Sequence, residues 1–347
     1  MSFATPSVAF TGPGQARTWL AIFGSAYVLA LALCVVTVLT PAPYGDLTRI
    51  GRVPESDFGW RTGQAAVPRA ALADAPLAEA DVLVIGDSFS VGRLWQSVLV
   101  GQGLKVASTH WDQIGNALCS DLDEWLRSQG FRGRTVIVQT VQRWVVRRMD
   151  RSAACARTQG VYRPMGDSAA PPDEPPGWAL NDRAKLSTGI TTWTHGLRVR
   201  RDLREVVFRD PDNDIPLVSV RPLADGCVQF SHRLCDRGLF LAEDVMMDVP
   251  GDRQSAIARR ISSAHPALRI VWMIVPDKTT VYAEPGRGAG FARQIEAAGL
   301  GPDLFAHAQA ARRSIRDFYW PNDTHLSTRG MLDVGEEIRR WIERSAS

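Results

Sequence analysis

The chain has 347 residues, of which 45% are apolar, and its 40 basic and 37 acidic residues give a net charge of +3. This composition excludes an intrinsically disordered protein and is sufficient for a large apolar core. There is no long run of Lys or Arg to support nucleic-acid binding, and the ordinary Gly and Pro contents exclude a collagen-like or low-complexity chain.

The first predicted element is a membrane-spanning helix. The stretch from Trp19 to Thr40 contains no charged residue, and about 20 helical residues cross the ~30 Å hydrocarbon layer of a bilayer. A cleaved signal peptide is the alternative, but its apolar region is only about 7–15 residues long. In addition, Pro41 and Pro43 stand where cleavage would be expected. We therefore predict a cytoplasmic tail over residues 1–18 and an uncleaved anchor over residues 19–40.

The charges around the anchor do not decide its orientation, because Arg17 precedes it while Arg49 and Arg52 follow it. The tail is short and lacks acidic residues, whereas the part after the anchor is a whole domain. We therefore expect the tail inside and the domain outside.

The four cysteines outside the anchor give weak support for export, because their number is even. Cys227 and Cys235 bracket a short stretch that can turn back on itself, which predicts a local disulfide and leaves Cys119 and Cys155 as a second pair. Four unpaired thiols are the alternative. No CxxC pair accompanies the lone His232, so we predict no metal site.

Residues 41–79, rich in Pro, Ala and Gly, are predicted as a linker whose first docked piece is Gly59-Trp60-Arg61. From residue 80 onward, short apolar runs alternate with segments of helical spacing, which indicates a doubly wound parallel sheet. Strands are expected over 81–86, 105–108, 135–141 and 268–275. Helices are expected over 91–101, 118–129, 252–264, 291–298, 304–315 and 329–345. Residues of about 150–250 are predicted to be a long insertion over one end of the sheet, with a loop over 163–178 and a helix over 194–207.

The first chemically informative stretch is Gly86-Asp87-Ser88, which follows a buried strand and begins a helix. Ligands of α/β proteins bind at the carboxyl ends of the strands, and a helix N-terminus offers unpaired N–H groups to a developing oxyanion. Ser88 is therefore a candidate nucleophile whose own N–H is the first oxyanion donor. The alternative is a helix cap without catalytic function.

A serine hydroxyl needs a base to act as a nucleophile. Of the six histidines, His325 stands two residues after Asp323, just before the last predicted helix. Asp323 can bind one imidazole nitrogen and leave the other to take the Ser88 proton. A solvated capping loop is the alternative for Asp323 and His325 alone. Together with the serine block they predict a Ser-His-Asp triad.

These motifs resemble the SGNH (GDSL-type) hydrolase superfamily, which has Gly-Asp-Ser after the first strand and Asp and His near the C-terminus. More narrowly, Gly-Asp-Ser-Phe-Ser at 86–90 and Asp-Thr-His at 323–325 resemble the alginate O-acetyltransferase group of polysaccharide O-acetyltransferases. Two departures are that Asp-x-His follows the serine block here and that Leu326 stands where Trp is usual. The resemblance thus implies the class of reaction without implying alginate as the acceptor.

The resemblance implies an SGNH-hydrolase-like, three-layer α/β/α fold and further site residues. Val138 to Trp144 is similar to a strand of the group that ends in Glu-Arg, here Gln142 and Arg143. The pair Lys278 and Tyr282 matches its Pro-x-Lys-x-x-x-Tyr segment. These four residues are candidates to support the site or bind sugar, and a salt bridge and a core aromatic are the alternatives for the last two. Since the usual oxyanion asparagine is missing, Gly115-Asn116 is the candidate second donor, with an ordinary turn as the alternative. Trp320 is a candidate sugar platform, together with Trp111 and Trp144.

The implied function is transfer of acetyl groups to hydroxyls of an exopolysaccharide through a Ser88 acyl-enzyme, with no cofactor. It implies a single-pass protein of the bacterial inner membrane with its domain in the periplasm. The implied partners are the polysaccharide acceptor and a membrane-bound O-acyltransferase that passes acetyl groups outward. Two alternatives are a polysaccharide acetyl esterase of the same fold and a non-catalytic polysaccharide-binding assembly protein.

Overall fold

The structure, a computed structural model, describes residues 12–166, 172–177 and 179–344. These residues form seven strands: β1 Val82–Gly86, β2 Val106–His110, β3 Thr135–Val141, β4 Val206–Arg209, β5 Pro216–Pro222, β6 Arg237–Leu241 and β7 Arg269–Val275. They also form fifteen α-helices: α1 Pro13–Leu39, α2 Asp46–Gly51, α3 Glu55–Phe58, α4 Ser88–Val91, α5 Leu94–Gly101, α6 Leu122–Ser128, α7 Val145–Ala153, α8 Leu186–Arg201, α9 Gly226–Gln229, α10 Glu243–Met246, α11 Asp252–Ala264, α12 Lys278–Tyr282, α13 Ala289–Ala297, α14 Leu304–Ala311 and α15 Thr328–Arg344. Short 3-10 turns cover Arg69–Leu72, Leu77–Glu79, Trp111–Ile114 and Gln142–Trp144.

The four apolar runs predicted as strands form one parallel sheet in the order β2-β1-β3-β7. Alternate side chains of each strand enter different cores because strand side chains point to opposite faces. Leu83 and Ile85 lie under α6, α7, α11 and α13, whereas Val82 and Val84 lie under α5, α12, α14 and α15. A parallel sheet with helices on both faces, as predicted, is therefore confirmed.

A second, antiparallel sheet lies between β3 and β7 in the chain, in the order β4-β5-β6. Its strands were not predicted, because they are short and partly exposed among polar residues. The helix predicted over 194–207 begins earlier, at Leu186, and ends at Arg201. In the predicted loop over 163–178, residues 163–166 and 172–177 form no helix or strand, and the others lie outside the described residues.

The segment predicted as a linker over 41–79 is instead folded onto the domain. It contains α2 and α3, and Leu47, Val53 and Phe58 are buried against the second sheet. Docking therefore begins well before Gly59-Trp60-Arg61. Only a few apolar side chains anchor this segment, and their spacing is too irregular to predict a helix.

The N-terminal helix α1 has 27 residues, begins at Pro13 and is long and apolar enough to span a membrane. Apolar side chains such as Trp19, Leu20 and Phe23 are exposed along it, as expected of a surface that faces lipid. Only its last turns touch the domain, where Thr37 packs closely against Gly189 of α8. Residues 1–11 of the predicted tail lie outside the described residues.

Candidate functional site

Ser88 follows the carboxyl end of β1 after a sharp turn at Asp87 and is the first residue of α4. Gly86 is needed there because a Cβ atom on it would lie only 2.3 Å from Ser90 Oγ. Asp87 caps the helix by accepting a hydrogen bond from the Phe89 amide. Since Ser88 is the first residue of α4, its amide is among the N–H groups that the helix itself leaves unpaired. The Ser88 side chain is exposed, whereas Asp87 and Phe89 are buried.

Two side chains that the sequence analysis did not single out hold this turn in place. Gln139 on β3 accepts hydrogen bonds from the Asp87 amide and Ser90 Oγ, each at 2.8 Å, and donates one to the Asp87 carboxylate at 2.9 Å. Arg148 on α7 binds the other Asp87 oxygen at 2.7 Å. Burial alone would raise the pKa of Asp87, but the Arg148 charge and these hydrogen bonds lower it. Asp87 is therefore a structural anion that fixes the position of Ser88.

The loop before α15 returns His325 to the same edge of the sheet. Tyr319 and Leu326 pair across its base, and the Trp320 amide donates to the His325 carbonyl at 3.0 Å. The Asp323 carboxylate accepts a hydrogen bond from the His325 amide at 3.0 Å. This loop geometry places Asp323 beside the imidazole of the residue two positions later.

Ser88, His325 and Asp323 form one hydrogen-bonded chain. Nε2 of His325 lies 2.8 Å from Ser88 Oγ, and Nδ1 lies 2.6 Å from Asp323 Oδ1. The three residues predicted to act together thus lie together. In this arrangement the carboxylate can hold the imidazole tautomer whose free nitrogen takes the serine proton.

The charges of these side chains support transfer of the proton from Ser88 to His325. Burial would raise the pKa of Asp323, but its hydrogen bond to His325 and the imidazole charge lower it to about 2. For His325, burial opposes the charged form, yet the hydrogen bond to Asp323 and the nearby carboxylates outweigh burial and raise its pKa. Asp323 is therefore ionised at neutral pH, and its charge stabilises the imidazolium form of His325.

A second carboxylate, which the sequence analysis did not predict, lies beside the same imidazole. Asp46 Oδ2 is 3.8 Å from His325 Nδ1, and the Asp46 amide donates to Asp323 Oδ2 at 2.9 Å. Asp46 lies in the segment predicted as a linker, where its sequence neighbours carry no motif. A contact between residues 46 and 323 depends on tertiary folding alone and leaves no local sequence signal.

A cavity of about 340 Å³ opens beside Ser88. Its lining includes Asp112, Asn116, Trp144, Arg147 and Arg151. Gly115 and Asn116 both have positive φ, and of the two only Asn116 lines the cavity. The Asn116 amide group, predicted as the second oxyanion donor, donates one hydrogen bond to Asp112 at 2.7 Å. The structure therefore brings Asn116 to the same cavity as Ser88.

Gln142 and Arg143 do not line this cavity. Gln142 is buried and bonds the Asp277 amide at 3.1 Å and the Arg287 carbonyl at 3.2 Å. Arg143 binds Asp277 at 2.7 Å and Asp244 at 3.3 Å. Both side chains thus join β3 to the chain that follows β7.

Lys278, Tyr282 and Trp320 support the His325 loop from behind. Lys278 Nζ donates to the carbonyls of Trp320 and Pro321 at 2.8 Å and to that of Asp323 at 3.2 Å. The Tyr282 hydroxyl accepts the Tyr319 amide at 3.2 Å. Trp320 is 8% exposed and packs against Trp60, with ring centroids 4.6 Å apart. These buried groups position the loop and present no surface to a sugar.

Both predicted disulfides, Cys119–Cys155 and Cys227–Cys235, are present, while Cys34 in α1 is free. Among the described residues, Asp46, Asp323 and His325 have the spacing of a metal site. Their ligand atoms are already used in hydrogen bonds with one another and with Thr324. We therefore assign no metal to them.

Comparisons with family models, curated proteins and solved structures found no match to this chain.

Proposed function

We propose that this protein is a membrane-anchored O-acetyltransferase that moves acetyl groups to hydroxyls of an exported polysaccharide through an acyl-enzyme on Ser88. The observation that carries the proposal is the continuous hydrogen-bonded chain Ser88–His325–Asp323 at the mouth of an open cavity. The resemblance of residues 86–90 and 323–325 to polysaccharide O-acetyltransferases supplies the reaction class.

In the first half-reaction, Ser88 Oγ attacks the carbonyl carbon of an acetyl donor while His325 Nε2 takes the hydroxyl proton. The carbonyl oxygen becomes an oxyanion, for which the Ser88 amide and Asn116, both beside the cavity, are the candidate donors. When the intermediate collapses, the bond to the leaving group breaks and His325 returns the proton to that group. Acetyl-Ser88 remains, and Asp323 stabilises the transient imidazolium.

In the second half-reaction, a sugar hydroxyl attacks the acetyl carbon and gives its proton to His325. Collapse transfers the acetyl group to the sugar oxygen, and Ser88 recovers the proton from His325. If water takes the place of the sugar, the same steps release acetate. Transferase and esterase therefore differ only in which hydroxyl the site admits.

Two features favour an exported domain. The Cys119–Cys155 and Cys227–Cys235 disulfides are stable in an oxidising compartment such as the bacterial periplasm. Helix α1 is a candidate anchor in the inner membrane. Because acetyl-CoA is cytoplasmic, a domain outside needs a partner that passes acetyl groups across. A membrane-bound O-acyltransferase, as the resemblance implies, fits that requirement.

The cavity beside Ser88 favours an acceptor with anionic groups, because Arg147 and Arg151 outnumber Asp112 in its lining and its Asp87 is paired with Arg148. Arg147 and Arg151 are exposed on α7, and neither forms an ion pair with a described carboxylate. Arg147 lies over the Trp144 ring, with its guanidinium carbon 5.3 Å from the ring centroid. An aromatic face beside two guanidinium groups suits a sugar that carries a carboxylate or another acidic group.

The proposal is tested with the full chain in detergent, an acetyl ester donor and a panel of acidic and neutral oligosaccharides. Acetylated oligosaccharide, absent with the Ser88→Ala variant, supports transfer. Acetate release without acetylated sugar supports the esterase instead. Bound oligosaccharide with neither product supports the non-catalytic binding protein.

A further inference from the structure

We propose that Asp46, supplied by the chain as it leaves the membrane anchor, is a positioning residue that orients the Asp323–His325 pair and adds a second negative charge beside the imidazole. The inference rests on the proposed function, because it assigns a role in that same reaction. It concerns a segment that lies far from both sequence motifs.

The first turn of α2 is bonded directly to the loop that carries Asp323 and His325. The Asp46 amide donates to Asp323 Oδ2 at 2.9 Å, and the next two amides donate to the Asn322 carbonyl. In return, the Asp46 carboxylate accepts the Thr324 amide at 2.8 Å and the Thr324 hydroxyl. The two segments thus satisfy each other's polar groups.

Buried groups around this contact fix the distance between the two segments. A Cβ atom on Gly45 would lie only 2.1 Å from the Asn322 carbonyl oxygen, so only glycine at this position allows the two segments to come this close. Glu55 at the start of α3 accepts hydrogen bonds from Thr48 and from Asn322. The approach of Asp46 to His325 is therefore built into the fold.

Asp46 acts on His325 through charge, since 3.8 Å between Oδ2 and Nδ1 is too long for a hydrogen bond. The charged groups that face the imidazole are Asp323, Asp46 and, farther off, Arg143. Lys278 faces the two carboxylates from α12. Burial and the neighbouring charge of Asp323 raise the pKa of Asp46 itself. When Asp46 is ionised, its charge favours imidazolium, so it raises the pKa of His325 and stabilises the transition state in which His325 carries the proton.

This arrangement makes the membrane-proximal segment part of the site. Asp46 comes seven positions after Leu39, the last residue of α1. The segment that follows the candidate membrane anchor therefore contributes directly to the orientation of the Asp323–His325 pair.

The test is the pH profile of kcat/KM for an acetyl ester with the full chain in detergent, comparing wild type with Asp46→Asn. Asn is close in size and its oxygen can still accept the Thr324 amide. Loss of the charge lowers the pKa of His325, so the acid limb of the profile moves to lower pH by about one unit. The plateau falls about tenfold, because the imidazolium formed during reaction is less stabilised.

Glu55→Gln is the matched control, since it changes another buried carboxylate in the same segment that is bonded to the same loop. Its acid limb stays at the wild-type midpoint, even if its thermal stability falls. Asp46→Glu, which keeps the charge, restores the midpoint. If Asp46→Asn does not fold, Asp46→Ser is the second uncharged variant.

An unshifted acid limb in the uncharged variants would overturn the inference, whatever happens to the rate. An equal shift in Glu55→Gln would also overturn it, because docking of the segment and not the Asp46 charge would then be responsible. A wild-type chain that neither cleaves nor transfers an acetyl group would instead refute the proposed function. The two failures are therefore distinguishable.

Discussion

The hydroxyl oxygen of Ser88 lies 2.8 Å from Nε2 of His325, although 237 positions separate the two residues in the chain. Ser88 follows the second strand in the sheet order, and His325 precedes the last helix. Helix α15 packs on α5, which brings the end of the chain back to the edge where β1 ends. Serine and base therefore meet because this packing returns the loop before α15 to the carboxyl end of β1, the edge where α/β proteins bind ligands.

Replacing Asp323 with Asn tests the carboxylate of the site. Three N–H groups converge on this carboxylate, from the His325 amide, His325 Nδ1 and the Asp46 amide. Asn offers only one oxygen, so the imidazole loses its orientation and its counter-charge. We expect kcat/KM to fall by about 10³- to 10⁴-fold.

The matched control for this variant is Asp333→Asn. Asp333 also binds an imidazole, that of His307, at 2.6 Å, but the pair lies outside the cavity beside Ser88. This control is expected to stay within about threefold of wild type, since surface pairs contribute little. A similar loss of activity in both variants would argue against a special role for Asp323.

Replacing Lys278 with Met tests the support behind the loop. Met fills most of the same space but leaves three carbonyls without their donor, so both activity and thermal stability should fall. Burial lowers the pKa of Lys278 to about 7, whereas the pKa of a lysine side chain in an unfolded chain is about 10.4.

The lowered pKa of Lys278 also predicts how stability depends on pH. Between pH 7 and 10 the unfolded state binds more protons at this residue, so its contribution to folding stability rises with pH. The difference in melting temperature between wild type and Lys278→Met should therefore grow from pH 7 to pH 10. A constant difference, measured by thermal unfolding at both pH values, would contradict the assigned burial.

Removing the Cys119–Cys155 disulfide tests whether this bond holds the residues that line the cavity in place. Cys119 follows Asn116 by three positions, and Cys155 follows Arg151 by four, so the bond ties together two segments that line the cavity. Replacing both cysteines with Ser frees a loop whose ends are 36 positions apart. The chain-entropy model predicts a loss of about 3 to 4 kcal/mol.

The Cys227–Cys235 pair, only 8 positions apart, is the control for this experiment. Its removal should cost about 1 kcal/mol less, and it should leave the KM for an oligosaccharide acceptor closer to wild type. Equal effects of the two double variants on that KM would show that the first disulfide does not shape the cavity.

Replacing Arg147 and Arg151 with Gln tests the charge of the acceptor. The KM for an acidic oligosaccharide should rise about 30-fold, because each of the two lost charge-assisted hydrogen bonds contributes on the order of 1 kcal/mol. The KM for a neutral oligosaccharide of equal length should change less. Arg253→Gln is the control, since Arg253 binds Asp150 at 3.2 Å and does not line the cavity. Equal increases for both acceptors would refute selection of acidic sugars.

The sequence predicts the parallel sheet well because β1, β3 and β7 are largely apolar runs rich in β-branched residues and are buried on both faces. It also predicts Ser88, Asp323 and His325, because these reactive residues stand next to the ends of predicted strands and helices. The two disulfides are predicted from the spacing of Cys227 and Cys235 and from the even number of cysteines.

The remaining parts of the site depend on tertiary contacts that local patterns do not contain. Asp46 lies near His325 only because its segment folds back onto the domain. The net charge of +3 gives no indication of the local positive charge of Arg147 and Arg151 beside Ser88. Lys278 and Tyr282, by contrast, belong to a recognisable sequence segment, but that segment does not specify what their side chains contact. The resemblance made them candidates to support the site or to bind sugar, and their burial and contacts leave support of the His325 loop.

The central claim is tested most directly by mass spectrometry of the full chain after exposure to an acetyl ester at a pH where deacylation is slow. We expect an added acetyl group that peptide mapping places on Ser88, absent in Ser88→Ala and strongly reduced in His325→Ala. An unmodified Ser88 under conditions in which the chain releases acetate or acetylates a sugar would contradict the acyl-enzyme.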